Sequence, residues 1–289
     1  MSAAGTLYLV ATPIGNLEDI TLRAIRVLRE ADLIACEDTR HTARLLSHLD
    51  IRTPTLSLHE HNERARLPRI LSLLREGKRV ALVSDAGTPV ISDPGAGLVA
   101  AVASEGLPIV AVPGPSAVTT AVVLADFPVE RFAFAGFLPR KRAERRRVLE
   151  SLVRLPMALV FFETPHRVHA ALDDLRDVFG DRRMVLAREL TKVHEQVVRG
   201  TPADLREALR AALGESPRGE VTLVVEGAAG TAAGPAGAAA EQGAERRPPE
   251  LFLELLLARG ISRRDAARVL EIVYGMPARE AYRLASRGE

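Results

Sequence analysis

The sequence predicts an α/β protein with two α/β domains, followed by a small all-helical module at the C-terminal end. Short apolar runs alternate with longer amphipathic runs up to residue 227, the pattern of strands alternating with helices. The following stretch, 227–244, is almost entirely Gly and Ala and can bury too little apolar surface to order itself, so it is predicted to be a linker. The predicted parts are an N-terminal α/β domain at 1–118, a C-terminal α/β domain at 119–228, the linker at 229–246 and the helical module at 247–289.

The first domain is predicted from five apolar runs and the amphipathic runs between them. The run RVALVSD is continuously apolar, as expected of a strand buried on both faces of a parallel sheet. Apolar residues recur at helical spacing at Ile20, Ala24, Val27 and Leu28. A Gly follows the last turn of two later predicted helices. The predicted strands are 6–13, 32–38, 55–61, 79–85 and 108–114, and the predicted helices are 19–31, 39–49, 63–77 and 94–106.

The second domain follows the same criteria, with one exception. Two apolar runs at 183–190 and 194–200 are separated by only a few residues, so they are predicted to pair as antiparallel strands. In the module, Ser262 and Asp265 form a capping-box-like helix start. The other predicted strands are 131–139, 157–164 and 219–227, and the predicted helices are 115–127, 144–154, 166–180, 202–214, 251–260, 262–275 and 277–288.

Composition excludes several protein classes. Hydrophobic residues make up 47% of the 289 residues, which excludes wholesale disorder. No apolar run approaches the ~18–20 residues that a membrane span needs. One cysteine, Cys36, allows neither an internal disulfide nor a cysteine zinc site, so a reducing cytoplasm is expected. The net charge of +2 does not by itself indicate a polyanionic partner.

Four loops at predicted strand ends combine Gly or Pro with small polar residues, at 11–17, 84–95, 113–116 and 162–167. Ligands of parallel α/β sheets bind beyond the carboxyl ends of the strands, although Gly and Pro are also ordinary turn residues. The segment 95–100 fits the dinucleotide pattern G-x-G-x-x-A, but about ten residues separate it from the preceding strand, which argues against a dinucleotide site. His59-Glu60-His61 offers too few ligands to predict a metal.

Seven motifs in order carry a resemblance to a known family: LYLVATPIGNLEDIT, ACEDTRHT, ALVSDAGTPVISDPG, VPGPSA, GFLPRK, ARELTK and GEVTLVVEG. Residues 6–227 resemble the tetrapyrrole-methylase superfamily of S-adenosylmethionine-dependent methyltransferases, and within it the bacterial small-subunit ribosomal RNA 2′-O-ribose methyltransferases. The resemblance implies an interdomain cofactor cleft, S-adenosylmethionine as cofactor, a homodimer, no metal and a helix-turn-helix-like C-terminal module. The first loop, TPIGNLED, holds one Gly where porphyrin-modifying relatives are Gly-rich, which argues for a different substrate.

Candidate site residues follow from these loops and from the resemblance. A methyl transfer to a hydroxyl needs a base or a cation that stabilises the developing alkoxide, and Lys192, one of only three lysines, lies in the ARELTK segment. The catalytic candidates are Lys192, Glu189 and Glu195, with Glu37 and Asp38 as alternatives. The cofactor candidates are Ser84, Asp85, Ala86, Gly87, Pro113, Gly114 and Ser116 from the first domain, with Phe162 and Glu220 from the second.

A basic run at 140–147 holds six basic residues and one acid, which favours phosphate contact over an ordinary solvated face. The RNA-binding candidates are Arg40, His41, Arg140, Lys141, Arg142 and Arg145. The predicted function is S-adenosylmethionine-dependent 2′-O-methylation of a decoding-region cytidine in 16S ribosomal RNA of the small subunit. The alternatives are a corrin or porphyrin methylase and a non-catalytic nucleic-acid-binding protein.

Overall fold

The computed structural model describes residues 5–213, 219–228, 249, 253, 257, 262–274 and 276–286. The chain divides into two units, Met1–Ala232 and Ala233–Glu289. Two five-stranded sheets with their helices form the first unit, and two complete helices are described in the second. The predicted fold class is therefore confirmed, while the predicted domain boundaries stay predictions and the linker at 229–246 lies outside the described residues.

The first sheet is entirely parallel, with the strand order β3-β2-β4-β1-β5. Alternate residues of β4 face opposite sides, so that Leu82 packs with Leu74 and Leu98 on one face and Val83 packs with Val27 and Leu28 on the other. The carboxyl ends of all five strands therefore meet at one edge. The elements are β1 Thr6–Val10, α1 Leu22–Glu30, β2 Leu33–Cys36, α2 Thr39–His48, β3 Thr55–Ser57, α3 Glu63–Arg75, β4 Arg79–Val83, α4 Ala96–Ser104 and β5 Ile109–Val112.

The second sheet has the order β6-β7-β10-β8-β9 and is mixed, because only β6 and β7 run parallel. The predicted antiparallel pairing of 183–190 with 194–200 is confirmed by β8 and β9. Helices α6, α7 and α8 cover one face and α5 covers the other. The elements are α5 Ala117–Val122, β6 Phe132–Phe137, α6 Arg142–Leu152, β7 Ala158–Glu163, α7 Val168–Phe179, β8 Met184–Arg188, β9 Gln196–Gly200, α8 Pro202–Leu213 and β10 Val221–Val225.

Helix α5 is shorter than the predicted 115–127, since it ends at Val122. Four of its six residues are Val or Thr, whose β-branched side chains lower helix propensity.

The second unit contains α9 Arg263–Tyr274 and α10 Ala278–Ser286, which confirm the predicted helices 262–275 and 277–288. The backbone N–H of Asp265 donates to Ser262 Oγ at 3.2 Å, the predicted cap. Small side chains of the two helices pack around Leu270 in a separate apolar core. Most of the predicted helix 251–260 lies outside the described residues. No helix in the described part of the chain is long and apolar enough to cross a membrane.

Candidate active site

A cavity of about 370 Å³ opens at the carboxyl edge of the first sheet and extends to the second sheet. Its floor comes from the loops after β4 and β5, with Ile14 of the loop after β1 beside them. Its far wall comes from the ends of β6 and β7 and from the start of β10, all in the same unit. This is the position that ligands occupy in open α/β sheets.

Six of the nine cofactor candidates line this cavity: Asp85, Ala86, Gly87, Ser116, Phe162 and Glu220. Ser84 lies beneath the floor, where its buried hydroxyl donates to the Gly87 carbonyl at 3.2 Å. Pro113 and Gly114 are not among the lining residues, and Gly114 lies against the side chain of Ala11. Phe162 is partly buried and also packs on Phe134 and Phe137, with ring centroids 4.8 and 5.4 Å away, so it belongs to an aromatic cluster as well as to the cavity wall.

The loop after β4 is held in an unusual conformation. Gly87 adopts a φ of +82°, which suits Gly, but Val90 and Ser92 also have positive φ, at 75° and 63°. A β-branched residue with positive φ is strained, and such strain concentrates at functional sites. The strained segment lies at the cavity, because Ile91 and Ser92 line it.

Asp93 is a cavity residue that the sequence analysis did not select. Burial, together with the negative charges of Glu37, Asp85 and Glu220, raises the pKa of its carboxyl to about 6. The nearby Ser84 hydroxyl opposes this effect in part. A carboxyl so placed favours a cationic ligand, whose charge would relieve the repulsion.

Lys192 adjoins the cavity without lining it, because its ammonium lies between the carboxylates of Glu189 and Glu220, and Glu220 is a lining residue. Its Nζ lies 2.9 Å from Glu189 Oε1 and 3.2 Å from Glu220 Oε2, and the Glu220 N–H donates to Glu189 Oε1 at 3.0 Å. These three residues are called the mouth cluster below. Burial alone would lower the pKa of Lys192, but the hydrogen bonds to Glu189 and the charge of Glu220 outweigh it, so the pKa is raised and the ammonium stays charged.

The other catalytic candidates lie outside the mouth cluster. Glu195 Oε2 accepts from the Thr191 N–H at 2.6 Å and so holds the turn before it. The Asp38 N–H donates to Asp85 Oδ1 at 3.2 Å, next to the cavity floor. Burial raises the pKa of Glu37, and the nearby charge of Asp85 adds to the effect.

Three of the six basic residues in the run at 140–147 are paired with carboxylates of α7. Arg145 is 5% exposed and donates to Asp174 Oδ2 from Nε at 2.8 Å and from Nη2 at 2.6 Å. Arg142 binds Asp174 and Asp177, and Arg146 donates to Asp177 at 2.6 Å. These five residues are called the α6–α7 cluster below. Arg145, predicted from the sequence to bind RNA, is almost wholly buried and bound to Asp174, so it offers no free cation to a phosphate.

The other RNA candidates are exposed. Arg140 and Lys141 precede α6 and lie at the surface, with Lys141 next to Glu144. Arg40 is paired with Asp38 at 2.8 Å, but its side chain is 89% exposed, and His41 is also exposed. Across the described residues, no group of three or more His, Cys, Asp or Glu side chains is arranged to hold a metal ion.

Comparison with known proteins shows which protein family this chain resembles. A family model described as Tetrapyrrole (Corrin/Porphyrin) Methylases matches residues 6–206. Proteins named Ribosomal RNA small subunit methyltransferase I are similar over most of the chain. The one from Halalkalibacterium halodurans is 44% identical, covering 97% of this chain and 94% of its own length. The one from Pseudomonas aeruginosa is 47% identical, covering 93% of each.

A relative of the same name from Thermotoga maritima is 50% identical over 223 residues, covering 77% of this chain and 99% of its own length. Among solved structures, a cobalt precorrin-4 methyltransferase aligns with a TM-score of 0.57 at 21% identity, covering 76% of this chain and 94% of its own. A Thermus thermophilus uroporphyrin-III C-methyltransferase complexed with S-adenosylhomocysteine aligns with a TM-score of 0.55 at 19% identity, covering 77% and 97%. At these identities the solved structures establish the shared fold.

Proposed function

Because this chain belongs to the tetrapyrrole (corrin/porphyrin) methylase family, we propose that it transfers the methyl group of S-adenosylmethionine to small-subunit ribosomal RNA. The acceptor is the 2′-hydroxyl of a cytidine in the decoding region of the 16S RNA. The observation that carries the proposal is the near full-length similarity, at 44% and 47% identity, to two relatives named for methylation of this RNA.

The cavity suits S-adenosylmethionine in size and charge. Its volume of about 370 Å³ lies within the ~300–1,000 Å³ typical of small-molecule sites. The carboxylates of Asp85, Asp93 and Glu220 would attract the positive sulfonium and ammonium groups of the cofactor. The apolar wall at Phe137 and Phe162 would receive the adenine. These residues support S-adenosylmethionine as the cofactor, and no metal is part of the proposal.

In the proposed reaction the ribose oxygen forms a bond to the methyl carbon, the sulfur–carbon bond breaks and the hydroxyl proton leaves. S-adenosylmethionine supplies a methyl group that is already activated by the sulfonium, so positioning of the hydroxyl provides much of the acceleration. The Lys192 ammonium stabilises the developing alkoxide, and Glu189 keeps that ammonium charged. Glu220, which is the more exposed carboxylate of the mouth cluster, accepts the proton.

The RNA backbone meets exposed cations at two places in this proposal. Arg140 and Lys141 lie at the start of α6 and offer positive charge to phosphates, whereas the neighbouring Arg142 is paired with Asp174 and Asp177. Arg40 and His41 lie at the start of α2, next to Asp38 and the carboxyl edge of the first sheet. The enzyme acts as a homodimer in the cytoplasm in this proposal, which is consistent with the exposed apolar side chains of Val123 and Phe132 and with the free thiol of Cys36.

The proposal is tested with purified enzyme, labelled S-adenosylmethionine and small subunits from a strain that lacks this activity. Mass mapping of the RNA is expected to find one added methyl group on a decoding-region ribose. Lys192→Met, which keeps the length of the side chain and removes the charge, is expected to lower kcat by about 10²–10³-fold. Lys192→Arg retains the charge and is expected to lose less. Absence of ribose methylation by the wild-type protein would overturn the proposed function.

A second candidate, tetrapyrrole methylation, is favoured by the corrin and porphyrin enzymes among the solved neighbours. Turnover of a porphyrin acceptor, with none of small subunits, would support it instead. A non-catalytic nucleic-acid-binding protein would bind RNA but show no heat of S-adenosylmethionine binding in calorimetry.

A further inference from the structure

The loop after β1, residues 12–16, is fixed at its start to the floor of the cavity. Thr12 and Gly87 exchange two backbone hydrogen bonds, of 2.9 and 3.0 Å. The buried Thr12 hydroxyl also donates to the Ser84 carbonyl at 3.1 Å. The first residue of this loop therefore cannot move without disturbing the segment Ser84–Gly87, where the cofactor candidates lie.

The end of the same loop is fixed to the turn that carries Lys192. A Cβ on Gly15 would lie 2.8 Å from both the Leu190 carbonyl oxygen and Thr191 Oγ1, and it would overlap the Lys192 side chain. The φ of Gly15 is not in the left-handed region, so close approach, and not backbone conformation, requires Gly here. The Asn16 N–H then donates to Thr191 Oγ1 at 3.0 Å.

The turn itself is strained and depends on outside contacts. Glu189 and Thr191 have φ values of 51° and 64°, and positive φ is particularly unfavourable for the β-branched Thr. Two hydrogen bonds hold Thr191 there, one from the Asn16 N–H to its hydroxyl and one from its own N–H to Glu195 Oε2. Strain of this kind persists only when the surrounding structure fixes it.

We propose that Gly15 and Thr191 are positioning residues that hold the Lys192 ammonium between Glu189 and Glu220. The loop at residues 12–16 thereby links the floor of the cavity to the Lys192 ammonium, which acts on the acceptor hydroxyl. This inference rests on the proposed function, because it assigns Lys192 the role given there. It also gives Glu195 a positioning role through the turn in place of a chemical one.

Three variants test the inference, with methylation of small subunits as the assay. Gly15→Ala displaces the Lys192 side chain, and Thr191→Val removes the hydroxyl acceptor at nearly constant volume. Both are expected to lower kcat at least tenfold, with the Kd of S-adenosylmethionine and the KM of the subunit within twofold of the wild-type values. Thr191→Ser keeps the hydroxyl and is expected to retain more than half of the wild-type kcat.

Combination with Lys192→Met distinguishes positioning from general damage. If Gly15 acts through Lys192, adding Gly15→Ala to Lys192→Met lowers kcat by less than a further twofold. An equal loss in both backgrounds, or a kcat of Gly15→Ala within twofold of wild type, overturns the inference. Should Gly15→Ala fail to fold in thermal melting, Thr191→Val and Thr191→Ser decide by the same criteria. A wild-type protein without ribose methylation overturns the proposed function, which is a separate outcome.

Discussion

The mouth cluster and the α6–α7 cluster are built from the same kinds of charged groups in opposite surroundings. Asp174 is 1% exposed and interacts with three arginines, one of which, Arg145, is itself buried. At the mouth, one lysine interacts with two glutamates, one of them 71% exposed, and Asp93 adds a further carboxyl. The charges between α6 and α7 are paired with one another and join two helices. Those at the mouth leave an excess of negative charge for a ligand.

The largest expected effect tests the structural member of this pair. Asp174→Ala leaves the buried Arg145 guanidinium without its carboxylate partner. Breaking a buried ion pair in this way costs about 3–5 kcal/mol, so the free energy of unfolding is expected to fall by that amount. Urea denaturation followed by circular dichroism measures the change.

Asp177→Ala is the matched control, because Asp177 carries the same group on the same helix but is 46% exposed. Exposed pairs contribute about 0–1 kcal/mol, so this variant is expected to stay close to the wild-type stability. Equal losses of stability from the two substitutions would show that the contributions of the two carboxylates do not depend on their burial.

The difference between the clusters could be predicted only in part from the sequence. The parallel first sheet and the β8–β9 pairing follow from patterns within short segments, and both are confirmed. The basic run at 140–147 is equally visible, but Asp174, the acid that neutralises it, lies 29 residues beyond Arg145 on another helix. Sequence periodicity carries no information on such a pairing, so the run by itself predicts free positive charge.

Asp93 was missed for the same physical reason. Its raised pKa depends on burial and on the charges of Glu37, Asp85 and Glu220, which come from three separate segments. The motif SDPG indicates a loop, but an Asp before Pro is also an ordinary turn residue. The fold, and not the motif, determines which acidic residue of the loop is buried beside other acidic residues.

Asp174 and the cavity residue Asp93 are expected to make the free energy of unfolding depend on pH with opposite signs. The arginines outweigh burial and lower the pKa of Asp174, so its stabilisation is present above the unfolded pKa and is lost as the pH falls. The pKa of Asp93 is raised to about 6, so the protonated form is favoured on folding. The contribution of Asp93 to the free energy of unfolding is full below its pKa in the unfolded state, which is about 4. This contribution is lost as the pH rises through 6.

Asp93→Asn tests the expected loss of stability as the pH rises and Asp93 ionises. The amide cannot ionise, so this variant is expected to gain stability over the wild type by about 2 kcal/mol at pH 8 and by much less at pH 4.5. Thermal melting at the two pH values measures the difference. Asp174→Asn serves as the comparison, because it is expected to be less stable than wild type at pH 8. A gain from Asp93→Asn that is independent of pH would contradict the assigned charge state.

The smallest expected effect concerns the cations of the run that α7 does not neutralise. Arg140 and Lys141 are exposed, whereas Arg145 is committed to Asp174. Arg140→Ala combined with Lys141→Ala is expected to raise the KM for small subunits several-fold without changing kcat. Each phosphate contact that is lost lowers the dependence of log affinity on log salt by about 1, so the slope is expected to fall by about 2.

Arg52→Ala is the control, since it removes an exposed cation between α2 and β3, at the opposite edge of the first sheet from the cavity. It is expected to leave both the KM and the salt slope unchanged. An equal loss from Arg52→Ala would indicate a diffuse response to net charge, and an unchanged slope in the Arg140/Lys141 variant would remove the start of α6 from the RNA surface. The expected result gives the two halves of one basic run different roles. Arg145 joins helices because its charge is paired and buried, whereas Arg140 and Lys141 bind phosphate because their charges are exposed.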